Sequence, residues 1–231
     1  MKLPADTKNI EALEELLDQR WSCRGFLSTP VPEDTIRAIL RTAQKTASWC
    51  NSQPWQVTIV SGNAKDRLSQ KIFEHIAAGR DGDPDIAFPR EYRGVYLERR
   101  RRSGFQLYES MNVTRGDKEA YRKQAEENYR FFGAPHVAII TSDEALGTYG
   151  AVDCGAYVSN FLLAATAHGV ATIPQAALAW YSKIVKEALG IDAERVMVCG
   201  ISFGYADRDH PANSYRTERA DIDEVVRWAN E

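Results

Sequence analysis

Apolar positions recur along the chain with two different spacings, and each spacing predicts one kind of element. Apolar side chains three or four residues apart predict amphipathic helices, whereas alternation or short β-branched runs predict strands. The helical pattern covers 7–18, a stretch after Pro32, 64–78, 147–168, 182–190 and 221–229. The strand pattern covers 55–60, 136–141, 170–173 and 196–203. Ser182 and Asp221 are expected to cap the helices that follow them.

The order of these elements predicts the fold class. About four short strands are separated by single helices and helix pairs, without the regular alternation of parallel α/β proteins. The pattern indicates an α+β fold in which helices wrap a small central sheet, mixed or antiparallel. No repeat or low-complexity linker divides residues 1–231, so we expect one domain. Residues 80–130 predict a loop and then two exposed helices broken near Gly116, a helical insertion.

The helix predicted at 147–168 carries small side chains on several faces. Its glycine, alanine and serine positions are Gly147, Gly150, Ala151, Gly155, Ala156, Ser159, Ala164, Ala165 and Ala167. A helix that is apolar nearly all round must be buried on most sides. Two arrangements satisfy this requirement: a central core helix of a monomer, or a helix that a second copy of the chain covers.

Composition and charge narrow the possible partners. Of the 231 residues, 44% are hydrophobic and 26% charged, as in ordinary globular proteins. With 29 basic and 32 acidic residues the net charge is −3, which argues against a dedicated nucleic-acid binder. The N-terminus lacks the apolar core of a signal peptide, and the apolar stretch 151–167, interrupted by Asp153, is short for a membrane span. We expect no nucleic-acid and no membrane partner.

Cysteine and histidine positions indicate neither a metal site nor a disulfide framework. The cysteines are Cys23, Cys50, Cys154 and Cys199, with no C-x-x-C pair. The four histidines are too far apart in sequence to form a local metal-binding pair. Scattered single cysteines suit a reducing cytoplasm, and that is the expected location.

The first polar cluster lies where the first predicted helix ends. It reads Arg20-Trp21-Ser22-Cys23-Arg24. Two guanidiniums flanking a hydroxyl suit a phosphate monoester, because arginine presents forked donors. A solvated helix end would carry the same residue types.

The second and third clusters offer complementary chemistry. Residues 47–55 include Ser48, Trp49, Asn51 and Gln53. Amides present a donor beside an acceptor, which matches the imide edge of a flavin, and tryptophan offers flat apolar surface to a ring. The third cluster, 213–219, again supplies guanidiniums and hydroxyls. A polar turn before a strand and a charged tail are the simpler interpretations.

Taken in chain order, these clusters resemble the nitroreductase family of flavoproteins. Residues 20–24 resemble the family's R-x-S-x-R phosphate motif, and residues 48–55 its N-S/T-Q-P-W turn in the nitrobenzoate-reductase-like branch. Residues 169–175 resemble its short strand that runs to the flavin ring. Residues 200–207 with Arg219 resemble its C-terminal strand and phosphate-binding arginine. The insertion at about 80–130 is the variable part and carries little family signal.

The resemblance implies a cofactor, a reaction and an assembly. FMN is the implied cofactor, and NADPH or NADH is the implied donor, giving hydride to flavin N5. A nitroaromatic or similar electron-poor compound then takes the donor's place on the same flavin face. Because the cofactor carries this chemistry, no catalytic side chain and no metal are expected. The implied assembly is an intertwined homodimer.

The resemblance also assigns residues to the flavin. Arginines of the first and third clusters hold the phosphate and ribityl chain, and the second cluster lines the flavin from the neighbouring subunit. A backbone N–H at the end of the short strand faces N5, where many relatives have glutamate and glycine. The expected cofactor-binding positions are Arg20, Trp21, Ser22, Cys23, Arg24, Ser48, Trp49, Asn51, Gln53, Asn128, Gln175, Ala176, Arg216 and Arg219.

The insertion bears on the substrate. Residues 90–102 hold six arginines with tyrosines interleaved, a combination that suits an anionic aromatic substrate such as a nitroaromatic carboxylate. The alternative is a solvated helix whose arginines pair with Glu91, Glu98 and Glu109. Two other functions stay open at this point. One is reductive dehalogenation or enone reduction on the same scaffold, and the other is a non-enzymatic flavin- or partner-binding module.

Overall fold

Helices and strands in the computed structural model, which describes residues 7–229, follow most of the predicted pattern. The helices are α1 (Thr7–Gln19), α2 (Glu33–Ala43), α3 (Gly62–Ala77), α4 (Gly94–Ser110), α5 (Lys118–Glu126), α6 (Gly147–Ala167), α7 (Ala176–Ala179) and α8 (Ser182–Leu189). The strands are β1 (Gln56–Ser61), β2 (His136–Asp143), β3 (Ala171–Gln175) and β4 (Arg195–Gly204). The two helices α4 and α5 flank a break at Gly116, as predicted.

The strands form one antiparallel sheet in the order β1-β2-β4-β3. His136 at the start of β2 lies opposite Ser61 of β1 and Phe203 of β4. At the end of β3, Gln175 lies opposite Gly200. The α+β class is confirmed, and of the two predicted sheet types the antiparallel one is formed.

Helices cover both faces of the sheet. Because successive strand residues point to opposite faces, β2 divides its side chains between two apolar cores. Ala138 and Ile140 pack in the core formed with α2 and α6, and Val137 and Ile139 in the core formed with α3 and α8. Burial on both faces explains why β2 and β4 read as continuous apolar runs instead of alternating ones.

The polar loop 80–93 contains neither helix nor strand, as predicted, but it is fastened to the sheet. One carboxylate oxygen of Asp85 accepts a hydrogen bond from Lys186 Nζ at 2.9 Å, and the other accepts from the Met197 N–H at 2.8 Å. The ammonium group also donates to two backbone carbonyls. These bonds satisfy a mostly buried ion pair and fix the loop beside β4.

Two helix predictions are wrong. The stretch 221–229 forms only a 3₁₀ turn at Ile222–Glu224, although Asp221 does cap it by accepting from the Asp223 N–H at 2.9 Å. The apolar side chains of this tail stay exposed because nothing within residues 7–229 packs on them, and an isolated helix this short is unstable in water. Ser182 is the first residue of α8 and does not cap it. Its hydroxyl donates to the Ala179 carbonyl at the end of α7.

The imidazole of His136 predicts a pH-dependent stability. Its Nε2 accepts from the Val31 N–H at 2.9 Å and its Nδ1 lies 2.6 Å from Ser61 Oγ, so the ring is neutral with the proton on Nδ1. Burial, and secondarily the charge of Lys65, lower its pKa. Between the folded and unfolded pKa values, the imidazole therefore binds a proton in the unfolded state and stays neutral in the folded state. The free energy of unfolding contributed by this ring falls as pH falls below the unfolded value of about 6.5.

Urea titrations at about pH 7.5 and about pH 5.5 measure this effect. At the higher pH, His136→Gln should lower the free energy of unfolding by about 1–2 kcal/mol, because the buried Val31 N–H loses the nitrogen that accepts its hydrogen bond. It should also lose less additional stability than the wild type on acidification. His168→Gln, at an exposed histidine, is the matched control for replacing a histidine by glutamine. If His136→Gln loses as much stability on acidification as the wild type, His136 is not the source of the pH dependence.

Candidate functional site

A cavity of about 690 Å³, called the arginine cavity below after Arg208 and Arg216 in its wall, lies where the ends of α1 and α6 meet the start of β3 and the segment after β4. Its walls are Asp18, Gln19, Trp21, Thr166, Gly169, Val170, Ala171, Thr172, Ala206, Arg208, Asn213 and Arg216. Trp21 and Arg216 belong to the predicted cofactor-binding set. The cavity thus joins the first and third sequence clusters, which are nearly 200 residues apart in the chain.

Residues 20–24 run beside β3 and extend the sheet edge. Ser22 forms a parallel bridge with Thr172, and the Cys23 N–H donates to the Thr172 carbonyl at 3.0 Å. The Cys23 side chain is buried, and burial raises the pKa of its thiol to about 11. Cys23 therefore contributes backbone to the site, while its side chain packs in the core as a neutral thiol.

Asn213 fastens this segment to the C-terminal part of the chain. Its Oδ1 accepts from the Arg24 N–H at 2.7 Å, and its Nδ2 donates to the carbonyls of Gly25 at 2.8 Å and Asp207 at 2.7 Å. The Arg24 guanidinium also donates to the Tyr215 hydroxyl at 3.2 Å. Sequence reasoning placed Asn213 in the third cluster without selecting it. Its role depends on contacts between distant segments, for which no local pattern exists.

Four predicted arginines, Arg20, Arg24, Arg216 and Arg219, lie on the two segments that meet at the cavity. The Arg216 guanidinium lies 4.0 Å from the centroid of the Trp21 ring. Burial, and secondarily the positive charge of Arg219, lower the pKa of Arg20. Within residues 7–229, no carboxylate forms an ion pair with Arg20, Arg24, Arg216 or Arg219. Although the Asp18 carboxylate also lines the cavity, guanidiniums that form no ion pair are available to a bound anion such as a phosphate.

The amide-rich turn has an unusual backbone. Cys50, Asn51 and Gln53 have φ values of 52°, 55° and 48°, a left-handed region that non-glycine residues rarely occupy. Ser48 Oγ supports the turn by accepting from the Gln53 N–H at 2.9 Å. Non-glycine residues held in this region cost about 1–3 kcal/mol each and are concentrated at functional sites.

Contacts with the first half of α6 hold the amide turn in place. The Trp49 N–H donates to the Asp153 carboxylate at 3.2 Å, and the Trp49 ring packs edge-on to Tyr149 with centroids 4.3 Å apart. The Trp49 side chain is nevertheless exposed. The turn therefore presents its tryptophan to the surface of the single chain.

The structure does not bring the amide turn and the arginine cavity together within one chain. The turn contacts α6 at Asp153, whereas the cavity contacts it at Thr166. Thirteen residues of helix separate these positions, about 20 Å at 1.5 Å per residue. No residue of 47–55 lines the cavity of its own chain.

The predicted residues at the end of β3 are brought together, with their side chains engaged internally. Gln175 is 3% exposed, its Nε2 donates to the Asn128 carbonyl at 2.9 Å, and its Oε1 accepts from the Ser202 hydroxyl. The Asn128 amide donates to Ala125 O at 3.0 Å. Ala176 begins α7, so its N–H belongs to the helix end that lacks intrahelical acceptors. A backbone role for this pair is therefore compatible with the structure, whereas the Gln175 side chain is already used.

Arginines of the insertion pair differently from the predicted alternative. Glu91 does contact Arg90 and Arg93, but Arg99 and Arg102 reach glutamates of the C-terminal tail instead. The Arg100 guanidinium lies 5.1 Å from the ring centroid of Tyr92. The aromatic rings of Tyr96 and Phe105 remain exposed on the same helix. The exposed surface of α4 thus carries guanidiniums and aromatic rings, and two of its arginines form ion pairs with the C-terminal tail.

Residues 7–229 contain neither a metal-binding cluster nor a membrane-spanning helix. No group of three or more histidine, cysteine, aspartate or glutamate side chains in residues 7–229 could hold a metal ion. Over the same residues, no helix is long and apolar enough to cross a membrane.

Fold and site together define an α+β protein with the arginine cavity at one edge of its sheet. The sequence profile of the Nitroreductase family matches residues 17–205. Nitroreductase NfnB of Mycolicibacterium smegmatis is 37% identical over 222 residues, which cover 95% of this chain and 93% of that protein. A 4-nitrobenzoate reductase of Nocardioides sp. is 32% identical over 235 residues, covering 99% and 92%.

Solved structures agree with the sequence comparison. The crystal structure of the FMN-dependent nitroreductase NfnB from Mycobacterium smegmatis in complex with NADPH superposes with a TM-score of 0.91 at 37% identity, covering 95% of this chain and 99% of that one. The chain therefore belongs to the nitroreductase family, and the family resemblance inferred from the sequence motifs is confirmed.

Proposed function

We propose that this protein is an FMN-dependent NAD(P)H oxidoreductase that reduces nitroaromatic or similarly electron-poor compounds. The observation that carries the proposal is the contact between the two distant arginine-bearing segments at the cavity, where Arg24 donates to Tyr215 and Arg216 lies over the Trp21 ring. Relatives that cover nearly the whole chain support it, since one is FMN-dependent with bound NADPH and another is a 4-nitrobenzoate reductase.

The residues present fit a phosphorylated flavin. Arg20 and Arg219 would hold the phosphate, because a dianion between them replaces mutual repulsion with two attractions. The Ser22 hydroxyl and the Arg24 guanidinium would bind the ribityl chain, on a segment that Asn213 holds rigid. Trp21 and Arg216 form the wall on the cavity side. When bound, the flavin supplies hydride transfer between the nicotinamide donor and the acceptor.

The chain's own residues would position the ring and control its environment. A backbone N–H of Gln175 or Ala176 would donate toward N5, since the Gln175 side chain is fully used by Asn128 and Ser202. The buried hydrogen bonds of that side chain keep this strand end rigid, so the donor is held in one place. We assign no catalytic side chain.

We further propose that the protein is a homodimer whose two subunits complete each flavin site. The amide turn lies about 20 Å from the cavity along α6 of the same chain. An antiparallel arrangement of two α6 helices would bring the turn of one subunit to the cavity of the other. Ser48, Trp49, Asn51 and Gln53 would then line the flavin held by the neighbouring subunit.

Exposed apolar surface supports this assembly. One face of α6 packs in the core, while the opposite face is open and lined by small or apolar side chains. The open positions are Tyr149, Val152, Gly155, Ala156 and Ser159, flanked on α1 by Ile10, Leu13 and Leu17. Exposed apolar patches of this kind on a water-soluble chain are typical of protein interfaces. A second copy covering this face would satisfy the burial that the small-residue pattern requires.

The surface of α4 supports an aromatic and anionic acceptor. Arg100 stacks near Tyr92, and Arg101 forms no ion pair within residues 7–229. Exposed Tyr96 and Phe105 add flat apolar area beside these cations.

We also propose a cytoplasmic location, supported by four cysteines that are all free thiols.

A visible spectrum of the purified protein, before and after anaerobic NADPH or NADH, tests the proposed function. We expect bound flavin absorbance that bleaches on reduction and returns when a nitrobenzoate is added. Halophenols and enones, tested in parallel, separate nitro reduction from dehalogenation and double-bond reduction. A colourless protein that takes up no added FMN would contradict the proposed function.

A further inference from the structure

We propose that Arg99 and Arg102 of α4 are positioning residues that hold the C-terminal segment, residues 213–224, against the phosphate end of the cofactor cavity. Arg102 contacts Glu218 at 2.8 Å, and Arg99 contacts Glu224 at 3.0 Å. The inference rests on the FMN role proposed above and assigns to the insertion a part in binding the cofactor. Neither arginine touches the cavity itself.

The helix contacts the C-terminal segment along its whole length. Near the start of the segment, α4 packs on the 3₁₀ turn Pro211–Asn213. In the middle, Gln106 Nε2 donates to the Arg216 carbonyl at 3.4 Å. The two ion pairs follow at positions 218 and 224. Four contacts in chain order show that the segment runs across α4 in one defined path.

The part of the C-terminal segment that carries Arg219 needs such support because it has no regular secondary structure of its own. Arg219 lies close enough to Arg20 to lower the pKa of that guanidinium through repulsion. The Arg219 side chain donates only to its own segment, at Thr217 and the Glu218 carbonyl, and residues 215–220 form neither helix nor strand. The contacts of Asn213, Tyr215 and Arg216 with residues 21–25 fix the start of the segment, whereas the backbone around Arg219 depends on the contacts with α4.

The residue next to Arg219 is the one that contacts α4. Glu218 pairs with Arg102, whereas the Arg219 guanidinium donates to its own segment. The attraction to α4 thus holds the backbone beside Arg219 in place, and this guanidinium stays available for a phosphate. Both side chains of the Arg102–Glu218 pair are 71% exposed, so each pair is expected to be weak and salt-sensitive.

FMN affinity of the Arg99→Glu/Arg102→Glu variant tests the proposal, measured by quenching of flavin fluorescence. We expect the FMN Kd to rise about five- to tenfold, because two attractions become repulsions. Hydrogen exchange of the FMN-free protein should be faster in residues 213–224. Adding Glu218→Arg and Glu224→Arg reverses both pairs at the wild-type net charge. This quadruple variant should recover the wild-type Kd and exchange rates.

The control is Arg90→Glu/Arg93→Glu, since these arginines pair with Glu91 and change the charge near α4 by the same amount. An equal rise in Kd for control and test variants would reduce the effect to long-range charge and overturn the proposal. Failure of the quadruple variant to recover would overturn it as well. Should the wild type bind no FMN, the proposed function fails. The exchange rates of 213–224 then still decide whether α4 holds the segment.

Discussion

Gly155→Leu is expected to separate the proposed dimer into folded monomers that lose FMN. In the single chain, a Cβ at position 155 would have no atom within 4 Å, so the larger side chain fits the monomer. Leucine also favours helix over glycine by roughly 1 kcal/mol. In a dimer joined through this face of α6, the side chain enters the interface twice. Overpacking costs roughly 1–3 kcal/mol per site, which weakens association about 30-fold or more.

Sedimentation velocity and far-UV circular dichroism measure this outcome together. We expect a smaller sedimentation coefficient, unchanged helix content, and release of flavin because each site would lose the partner's amide turn. Lys71→Leu adds an apolar side chain on the exposed surface of α3 and should leave the dimer intact. Gly150→Leu, on the opposite face, would drive a Cβ to 2.3 Å from Ser142 Oγ and should destabilise the monomer itself. A Gly155→Leu protein that remains dimeric with its flavin would contradict the proposed interface.

Arg20→Ala is expected to raise the FMN Kd by about 10- to 100-fold. A hydrogen bond to a charged group is worth about 1.5–3 kcal/mol, and here the phosphate would lose a forked donor in a partly buried place. The free protein should not be destabilised, because the substitution removes the repulsion between Arg20 and Arg219. Arg20→Lys keeps the charge without the fork and should give an intermediate affinity.

Fluorescence titration of the FMN-free protein gives these constants directly. The matched control is Arg41→Ala, at an exposed arginine of α2 that lies outside the site. It should bind FMN with the wild-type Kd. If Arg20→Ala also binds with the wild-type Kd, the phosphate does not lie between Arg20 and Arg219.

Local patterns in the sequence predicted the strands and helices whose burial follows directly from the spacing of their apolar residues. The strands β2 and β4 are continuous apolar runs because both faces are buried, and the helix spacing of α2 and α3 reflects one buried stripe each. The tail at 221–229 shows the limit of this reasoning. Its apolar spacing is helical, but helix formation requires a surface to pack on, and none is present within the described chain.

The sequence by itself determined the fold class, the element order and the three clusters of phosphate- and flavin-binding residue types, because residue chemistry and hydrophobic periodicity are local properties. Only the tertiary structure decided which clusters meet. It joined residues 20–24 to the C-terminal segment through Asn213, and it placed the amide turn at the other end of α6. Such contacts depend on how strands and helices pack over nearly 190 residues of intervening chain, and no local spacing encodes that path.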